Sequence, residues 1–125
     1  MLKTTAKPKG YEDQVSKVIA QITKLGYSEI KADIDEYETP PQITNTASKV
    51  SYTPDVMAKK NEQKAYFEIA NKNKDTNGLI NKWKALSLLA EIKNGVFQIF
   101  VPYGHMNFTM QVLNDNKIEA NVIKL

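Results

Sequence analysis

Two acidic residues, Asp55 and Glu68, lie in neighbouring segments whose residue pattern predicts the two strands of a β-hairpin. When residues 61–62 form the centre of the turn, the numbers of residues paired across the hairpin sum to 123, so Asp55 lies opposite Glu68. The same register pairs Val56 with Phe67 on the other face, so the apolar pattern supports it independently. The sequence therefore predicts two carboxylates about 5 Å apart on one face of a sheet.

Such a pair of carboxylates destabilises a sheet unless a lysine, solvent or a divalent cation compensates the repulsion. Mg²⁺ suits the last case, because it needs only one or two carboxylates besides water and phosphate oxygens. A bound Mg²⁺ lowers the pKa of a water ligand and stabilises charge on a phosphodiester under attack. Glu12, at the edge of the apolar face of the first predicted helix, is a third candidate ligand. The alternative is a chance pairing of two acids on the solvated face of a hairpin.

The composition excludes several other kinds of site. The chain has no cysteine and a single histidine, His105, which excludes disulfide scaffolds, thiolate zinc sites and cages of several histidines. A metal must therefore be held by oxygen ligands, as Mg²⁺ and Mn²⁺ are. All 17 basic residues are lysines and the net charge is +3, which permits binding to nucleic acid but without bidentate arginine contacts.

The remaining pattern predicts helices and strands that alternate along the chain. The predicted helices span residues 11–25, 78–94 and 105–113, and the predicted strands span residues 29–37, 49–60, 63–71, 96–101 and 118–123. The strand at 96–101 is apolar at nearly every position, which indicates a strand covered on both faces and parallel to a neighbour. The expected fold is an α/β (α+β) mixed sheet with helices on its faces, in the order α-β-β-β-α-β-α-β.

We expect one domain over residues 11–125, preceded by a flexible basic arm over residues 1–10. The basic start is not followed by an apolar run, so neither a signal peptide nor a transmembrane segment is predicted. The expectation is a cytoplasmic protein without a membrane partner, and a homodimer is left open.

Two further features of the sequence have structural interpretations. Trp83 falls on the apolar stripe of the second helix, so we interpret it as a core residue although lysines flank it. Asp33 belongs to an acidic strip along the first strand, on the side opposite its apolar residues. Such a strip is typical of a solvated strand face.

The acids and the order of elements together resemble the PD-(D/E)XK nuclease superfamily. The resemblance rests on Pro54-Asp55, a strand turn and Glu68-Ile69, set within the order helix, three strands, helix, strand, and it covers residues 11–102. It implies a restriction-endonuclease-like fold and a Mg²⁺- or Mn²⁺-dependent nuclease acting on DNA. It also implies that Asp55 and Glu68 bind the metal, joined by Glu12 from the first helix.

One position departs from the family pattern. The family has a lysine two residues after the second acid, and here that position is Ala70. Since the family relocates this lysine in some members, Lys82 and Lys72 are candidates for its catalytic role, and Lys84, on the same helix as Lys82, is another. Loss of the lysine favours an alternative, a catalytically degenerate nuclease fold that serves as a nucleic-acid-binding or assembly module. A third hypothesis is an unrelated αβ interaction protein in which the acid pair is incidental.

Overall fold

The computed structural model describes residues 9–71 and 75–125 of the chain. The predicted arm therefore lies almost entirely outside the described residues, and so does Lys72. The helices are α1 (Tyr11–Lys24), α2 (Thr76–Ile92) and α3 (Met106–Asn116). The strands are β1 (Ser28–Ala32), β2 (Ile43–Thr44), β3 (Ser51–Tyr52), β4 (Val56–Lys60), β5 (Gln63–Ile69), β6 (Val96–Val101) and β7 (Asn121–Lys124).

Five of these strands form one mixed sheet in the spatial order β1-β4-β5-β6-β7. The pairs β1–β4 and β4–β5 are antiparallel, whereas β5–β6 and β6–β7 are parallel. Helix α1 packs on one face of this sheet, and α2 and α3 pack on the other, so that two apolar clusters form, one on each side. The predicted mixed α/β architecture with helices on the sheet faces is therefore confirmed.

Helix α1 follows from the spacing of its apolar residues. Val15, Val18 and Ile22 recur at steps of three and four and are fully buried against the sheet. Acids in the first turn and Lys24 in the last turn complement the helix dipole. Gly26, with φ of 96°, follows the end of the helix in the left-handed region that glycine adopts without strain.

The hairpin of β4 and β5 has the register that the sequence predicts. Val56 pairs with Phe67 and Ala58 pairs with Ala65. The two turn residues, Asn61 and Glu62, have φ angles of 52° and 68°, as the central residues of a type I′ hairpin turn require. Since a slip of one residue would move every side chain to the opposite face, this register fixes the face on which Glu68 lies.

Strand β6 occupies the centre of the parallel part of the sheet. It spans Val96–Val101, as predicted, and lies between β5 and β7, with which it runs parallel. Phe100 packs in the cluster beneath α1, and Ile99 packs in the cluster beneath α2 and α3. Coverage on both faces explains why the segment is apolar at nearly every position.

Two predicted strands are shorter than expected. The segment 49–60 is interrupted, because Ser51–Tyr52 pairs with Ile43–Thr44 in a separate two-stranded sheet before β4 begins. Strand β1 ends at Ala32, and its pairing with β4 shifts by one residue between Ser28 and Lys31. Glu29, inside this irregularity, has φ of 52°. Among the described residues, no helix is long and apolar enough to cross a membrane.

Candidate active site

The two predicted acids meet at one edge of the main sheet, where β4 begins and the antiparallel neighbour β5 ends. Asp55 immediately precedes β4, and Glu68 is the penultimate residue of β5. Both side chains lie inside the protein, since Asp55 is 7% exposed and Glu68 is 1% exposed. Burial of two acids at one place is costly unless each is hydrogen-bonded, so their partners define the site.

Main-chain hydrogen bonds tie the two acids to each other. The amide N–H of Asp55 donates to Oε2 of Glu68 at 2.8 Å. In the other direction, the amide N–H of Ile69 donates to Oδ2 of Asp55 at 2.8 Å. Each carboxylate therefore accepts from the backbone of the opposite strand, just beyond the last regular pair of the hairpin, Val56 with Phe67.

Helix α2 supplies two donors to the same carboxylate oxygen. The ammonium of Lys82 lies 3.1 Å from Oε1 of Glu68, and the indole N–H of Trp83 donates to that oxygen at 3.2 Å. Trp83 is fully buried, so its interpretation as a core residue is confirmed, although the indole also has a polar contact. Asp75 positions this helix by capping its first turn, where its carboxylate accepts from the amide of Gly78.

Helix α1 contributes a tyrosine to the site. The hydroxyl of Tyr11 donates to Oδ1 of Asp55 at 2.6 Å, and the side chain is 4% exposed. A second contact fastens this helix near the site, because the side-chain amides of Gln14 and Asn71 exchange hydrogen bonds of 2.9 and 3.2 Å. The pattern of α1 indicates that Tyr11 is buried, but the hydroxyl contact depends on how the helix crosses the sheet.

The structure does not bring Glu12 to the acid pair. Its side chain is exposed in the first turn of α1. Successive side chains on a helix are separated by about 100°, so the inward position that reaches Asp55 belongs to Tyr11. In the described part of the chain, no three acidic or histidine side chains form a group that could hold a metal ion. The expected third ligand from α1 is therefore absent from the cluster as described.

A different acid, Asp33, is buried beside the site. It is 8% exposed, and its amide N–H donates to the main-chain carbonyl of Asp55 at 2.9 Å. The interpretation of Asp33 as part of a solvated acidic strip is wrong. The regular strand ends at Ala32, so Asp33 belongs to the segment that turns across the start of β4 and not to an exposed strand face.

The electrostatics of the site follow from burial and from the proximity of the two acids. Burial, and next the charge of Asp55, raise the pKa of Glu68 to about 8, although Lys82 opposes the shift. Burial lowers the pKa of Lys82, but the charges of Glu68 and Asp55 outweigh it, and the net pKa is raised, so Lys82 remains an ammonium. Burial and then Asp55 raise the pKa of Tyr11, which keeps the phenol neutral as a donor.

The oxygen ligands of the acid pair fit a hard divalent cation. Each carboxylate oxygen has two lone-pair positions, and within the described residues three of the four oxygens accept one hydrogen bond each. The fourth, Oε1 of Glu68, is shared by Lys82 and Trp83. Mg²⁺ and Mn²⁺ can be held by two carboxylates when water and phosphate complete the ligand set, so Asp55 and Glu68 suit such an ion.

The ammonium of the site comes from a helix. Ala70 stands where the resemblance to PD-(D/E)XK nucleases implies a lysine. It is fully buried and contributes no positive charge. Of the lysines predicted to replace the family lysine, Lys82 brings its ammonium to Glu68 from α2, whereas the side chain of Lys84 is exposed. The cluster formed by Tyr11, Asp55, Glu68, Lys82 and Trp83 is called the acid–lysine cluster below.

Neither a protein-family model nor a curated protein sequence matches this chain.

Proposed function

We propose that this chain is a metal-dependent, nuclease-like domain that hydrolyses phosphodiesters of DNA. The observation that carries the proposal is the convergence of Asp55, Glu68 and Lys82 at one edge of the sheet. The order of helices and strands around the main sheet supports it, because that order resembles the restriction-endonuclease-like arrangement of PD-(D/E)XK nucleases. The two acids precede β4 and end β5, which are the positions that this resemblance implies.

Asp55 and Glu68 are the residues that would hold Mg²⁺ or Mn²⁺. When bound, the ion supplies a water of lowered pKa and neutralises charge on the phosphate. The protein contributes a fixed geometry, since backbone amides of the opposite strand orient one oxygen of each carboxylate. Tyr11 orients a further oxygen of Asp55. Such hydrogen bonds hold ligands in place before the ion binds, as hydrogen bonds to metal-binding side chains do in other metal sites.

Lys82 is the residue we assign to charge stabilisation. Its ammonium is held at the acid pair by Glu68, and its raised pKa keeps it charged near neutral pH. A fixed positive charge at a partly buried site stabilises the negative charge that develops on a phosphate during attack. Lysines elsewhere on the surface contact the DNA backbone, which positions the substrate without reading its sequence.

A cleavage assay on supercoiled and branched DNA with Mg²⁺ or Mn²⁺ tests this function. We expect the wild-type chain to nick or cut DNA and Asp55→Asn, which keeps the shape of the side chain, to lose the activity. Asp35→Asn is the matched control, because Asp35 is an exposed acid after β1 and lies outside the cluster. Activity of Asp55→Asn equal to wild type, or no metal-dependent cleavage of either substrate by the wild type, would contradict the proposal.

One observation favours a second function. Every oxygen of the two carboxylates already has a protein donor, and Glu68 is almost fully enclosed. A closed cluster of this kind, together with Ala70 in place of the family lysine, fits a catalytically degenerate nuclease fold that binds nucleic acid or assembles with partners. Calorimetry separates the two functions. Titration of Mn²⁺ that releases no heat and leaves the melting temperature unchanged favours the degenerate module.

A further inference from the structure

An exposed tyrosine stands at the same edge of the sheet as the acid–lysine cluster. Tyr103 is 102% exposed, the full accessibility of an isolated side chain. It follows β6, whose carboxyl end lies beside the end of β5, since the amide of Ala70 donates to the carbonyl of Phe100 at 2.9 Å. The carboxyl ends of parallel strands share one edge, so Tyr103 and Glu68 belong to the same side of the molecule.

The turn at residues 102–105, called the Tyr103 turn, holds the ring away from the surface. The amide of His105 donates to the carbonyl of Pro102 at 3.1 Å and closes the turn. Gly104, at its third position, has φ of 87°, which is the conformation that a type II turn requires there. Proline at the first position and the start of α3 directly after the turn restrict the backbone further. The backbone that carries the ring is therefore restrained before a ligand binds.

A lysine and a small cavity accompany the tyrosine. Lys124 pairs in the sheet with Val101, and Val101 is two residues before Tyr103 in the chain. The side chain of Lys124 is exposed. Tyr103, Met106 and Lys124 line a cavity of about 280 Å³. An aromatic face beside a point positive charge is the combination that binds single-stranded nucleic acid, because the base stacks on the ring and the ammonium contacts a phosphate.

The spacing to the acids suits a bound strand. Glu68 pairs with Ile99, and Tyr103 lies four residues further along the chain. Because β6 ends at Val101 and the chain then turns, the strand rise of about 3.3 Å per residue gives only an upper limit, roughly 13 Å, for their separation along the strand axis. This limit corresponds to at most about four nucleotides at 3.4 Å per stacked base.

We propose that Tyr103 and Lys124 bind an unpaired nucleotide of the DNA substrate, a few nucleotides from the phosphodiester held at Asp55 and Glu68. The inference rests on the proposed function in its choice of substrate. It narrows that substrate to DNA with a single-stranded portion, such as a flap, a branch or an open strand. Continuous duplex offers the ring no free base face.

The test is fluorescence anisotropy with a labelled single-stranded oligonucleotide and with the corresponding duplex, without divalent metal. We expect Tyr103→Ala to weaken binding to the single strand about tenfold, since stacking of one base on an aromatic ring gives an effect of this order. Tyr103→Phe keeps the aromatic face and should bind within about twofold of wild type. Duplex binding should change far less in both variants.

Ile92→Ala is the control for removal of an exposed apolar side chain, because Ile92 is 68% exposed and ends α2 at the opposite edge of the sheet. Tyr103→Ala binding the single strand like wild type would overturn the proposal. An equal loss for single strand and duplex, or for Tyr103→Phe and Tyr103→Ala, would also overturn it. Because no metal or cleavage is involved, this result is independent of the Asp55→Asn assay, and failure of either proposal is recognised separately.

Discussion

The ammonium of Lys82 lies 3.1 Å from Oε1 of Glu68, and it reaches that carboxylate from a helix instead of from the strand that carries the acid. Trp83, the next residue of α2, donates to the same oxygen from the apolar core. The burial of Trp83 thereby fixes the rotation of α2 and brings the side chain of Lys82 to the acid pair. Packing and the placement of charge are thus coupled within two consecutive residues.

Replacement of Lys82 separates catalysis from metal binding. We expect Lys82→Ala to lower the rate of DNA cleavage by about 10²–10³, the size of effect seen when one preorganised charge or donor is removed from a transition state. Mn²⁺ affinity measured by calorimetry should not fall, since Lys82 competes with a cation for Glu68. Lys84→Ala is the matched control, because Lys84 is exposed on the same helix. Equal rates for Lys82→Ala and Lys84→Ala would refute the role of Lys82.

Glu68 makes the stability of the domain depend on pH. Its pKa is about 8 in the folded chain against an ordinary value of 4.5, so between these values the folded state holds a proton that the unfolded state has lost. The contribution of Glu68 to the free energy of unfolding is therefore largest at low pH and is lost as the pH rises through the folded pKa.

Urea unfolding of wild type and Glu68→Gln over about pH 5 to 8 measures this contribution. We expect wild type to lose stability relative to Glu68→Gln as the pH rises across that window. Glu91→Gln, an exposed glutamate of α2, controls for the substitution and should show no such trend. A constant difference between wild type and Glu68→Gln at every pH would contradict the raised pKa.

The hydroxyl of Tyr11 donates a short, buried hydrogen bond to Asp55, and removal of this hydroxyl should lower the free energy of unfolding. Tyr11→Phe keeps the ring in the core but leaves Oδ1 of Asp55 without the donor at 2.6 Å. We expect a loss of about 1–3 kcal/mol in the free energy of unfolding, measured with urea, since a buried acceptor loses its partner. Tyr103→Phe removes a hydroxyl from a fully exposed ring and should change stability by less than about 0.5 kcal/mol. Similar values for the two variants would show that the Tyr11 contact contributes nothing.

The hairpin turn that sets the register of the acids can be stabilised. Glu62 has φ of 68°, a conformation that favours glycine in the second central position of a type I′ turn. We expect Glu62→Gly to raise the free energy of unfolding by about 0.5–1 kcal/mol, because the gain from relieved backbone strain exceeds the entropy of the freer unfolded chain. Glu62→Ala, which removes the charge but keeps a Cβ, should show no gain. Glycine and alanine variants of equal stability would argue against the type I′ turn.

Much of the fold could be predicted from periodicity alone. The pairing of Val56 with Phe67 follows from matching apolar residues across a two-residue turn, since a hairpin register is a local property of the sequence. The apolar run of β6 predicts a strand that is covered on both faces and parallel to a neighbour. The apolar clusters on both faces confirm the coverage, and the pairing with β5 and β7 confirms the direction. In both cases the signal lies within a short stretch of chain.

The parts of the site that could not be predicted depend on how distant elements meet. Tyr11 and Glu12 are adjacent, and only the angle at which α1 crosses the sheet decides which of them reaches Asp55. Asp33 becomes buried because β1 ends early after an irregular pairing, which the alternating pattern of the segment does not reveal. The sequence offers several lysines as candidates. Lys82 is the one that contacts Glu68, because the burial of the next residue, Trp83, turns that side of α2 toward the acid pair.

The most direct test of the acid–lysine cluster as a metal site is the crystal structure of the protein soaked in Mn²⁺, with data collected for the anomalous signal of manganese. We expect one peak between the side chains of Asp55 and Glu68, with a carboxylate oxygen of each at about 2.0–2.3 Å from the ion. The ammonium of Lys82 should be displaced from Oε1 of Glu68 or shared with water. Absence of a peak at saturating Mn²⁺, with Lys82 still in contact with Glu68, would contradict metal-dependent catalysis at this site.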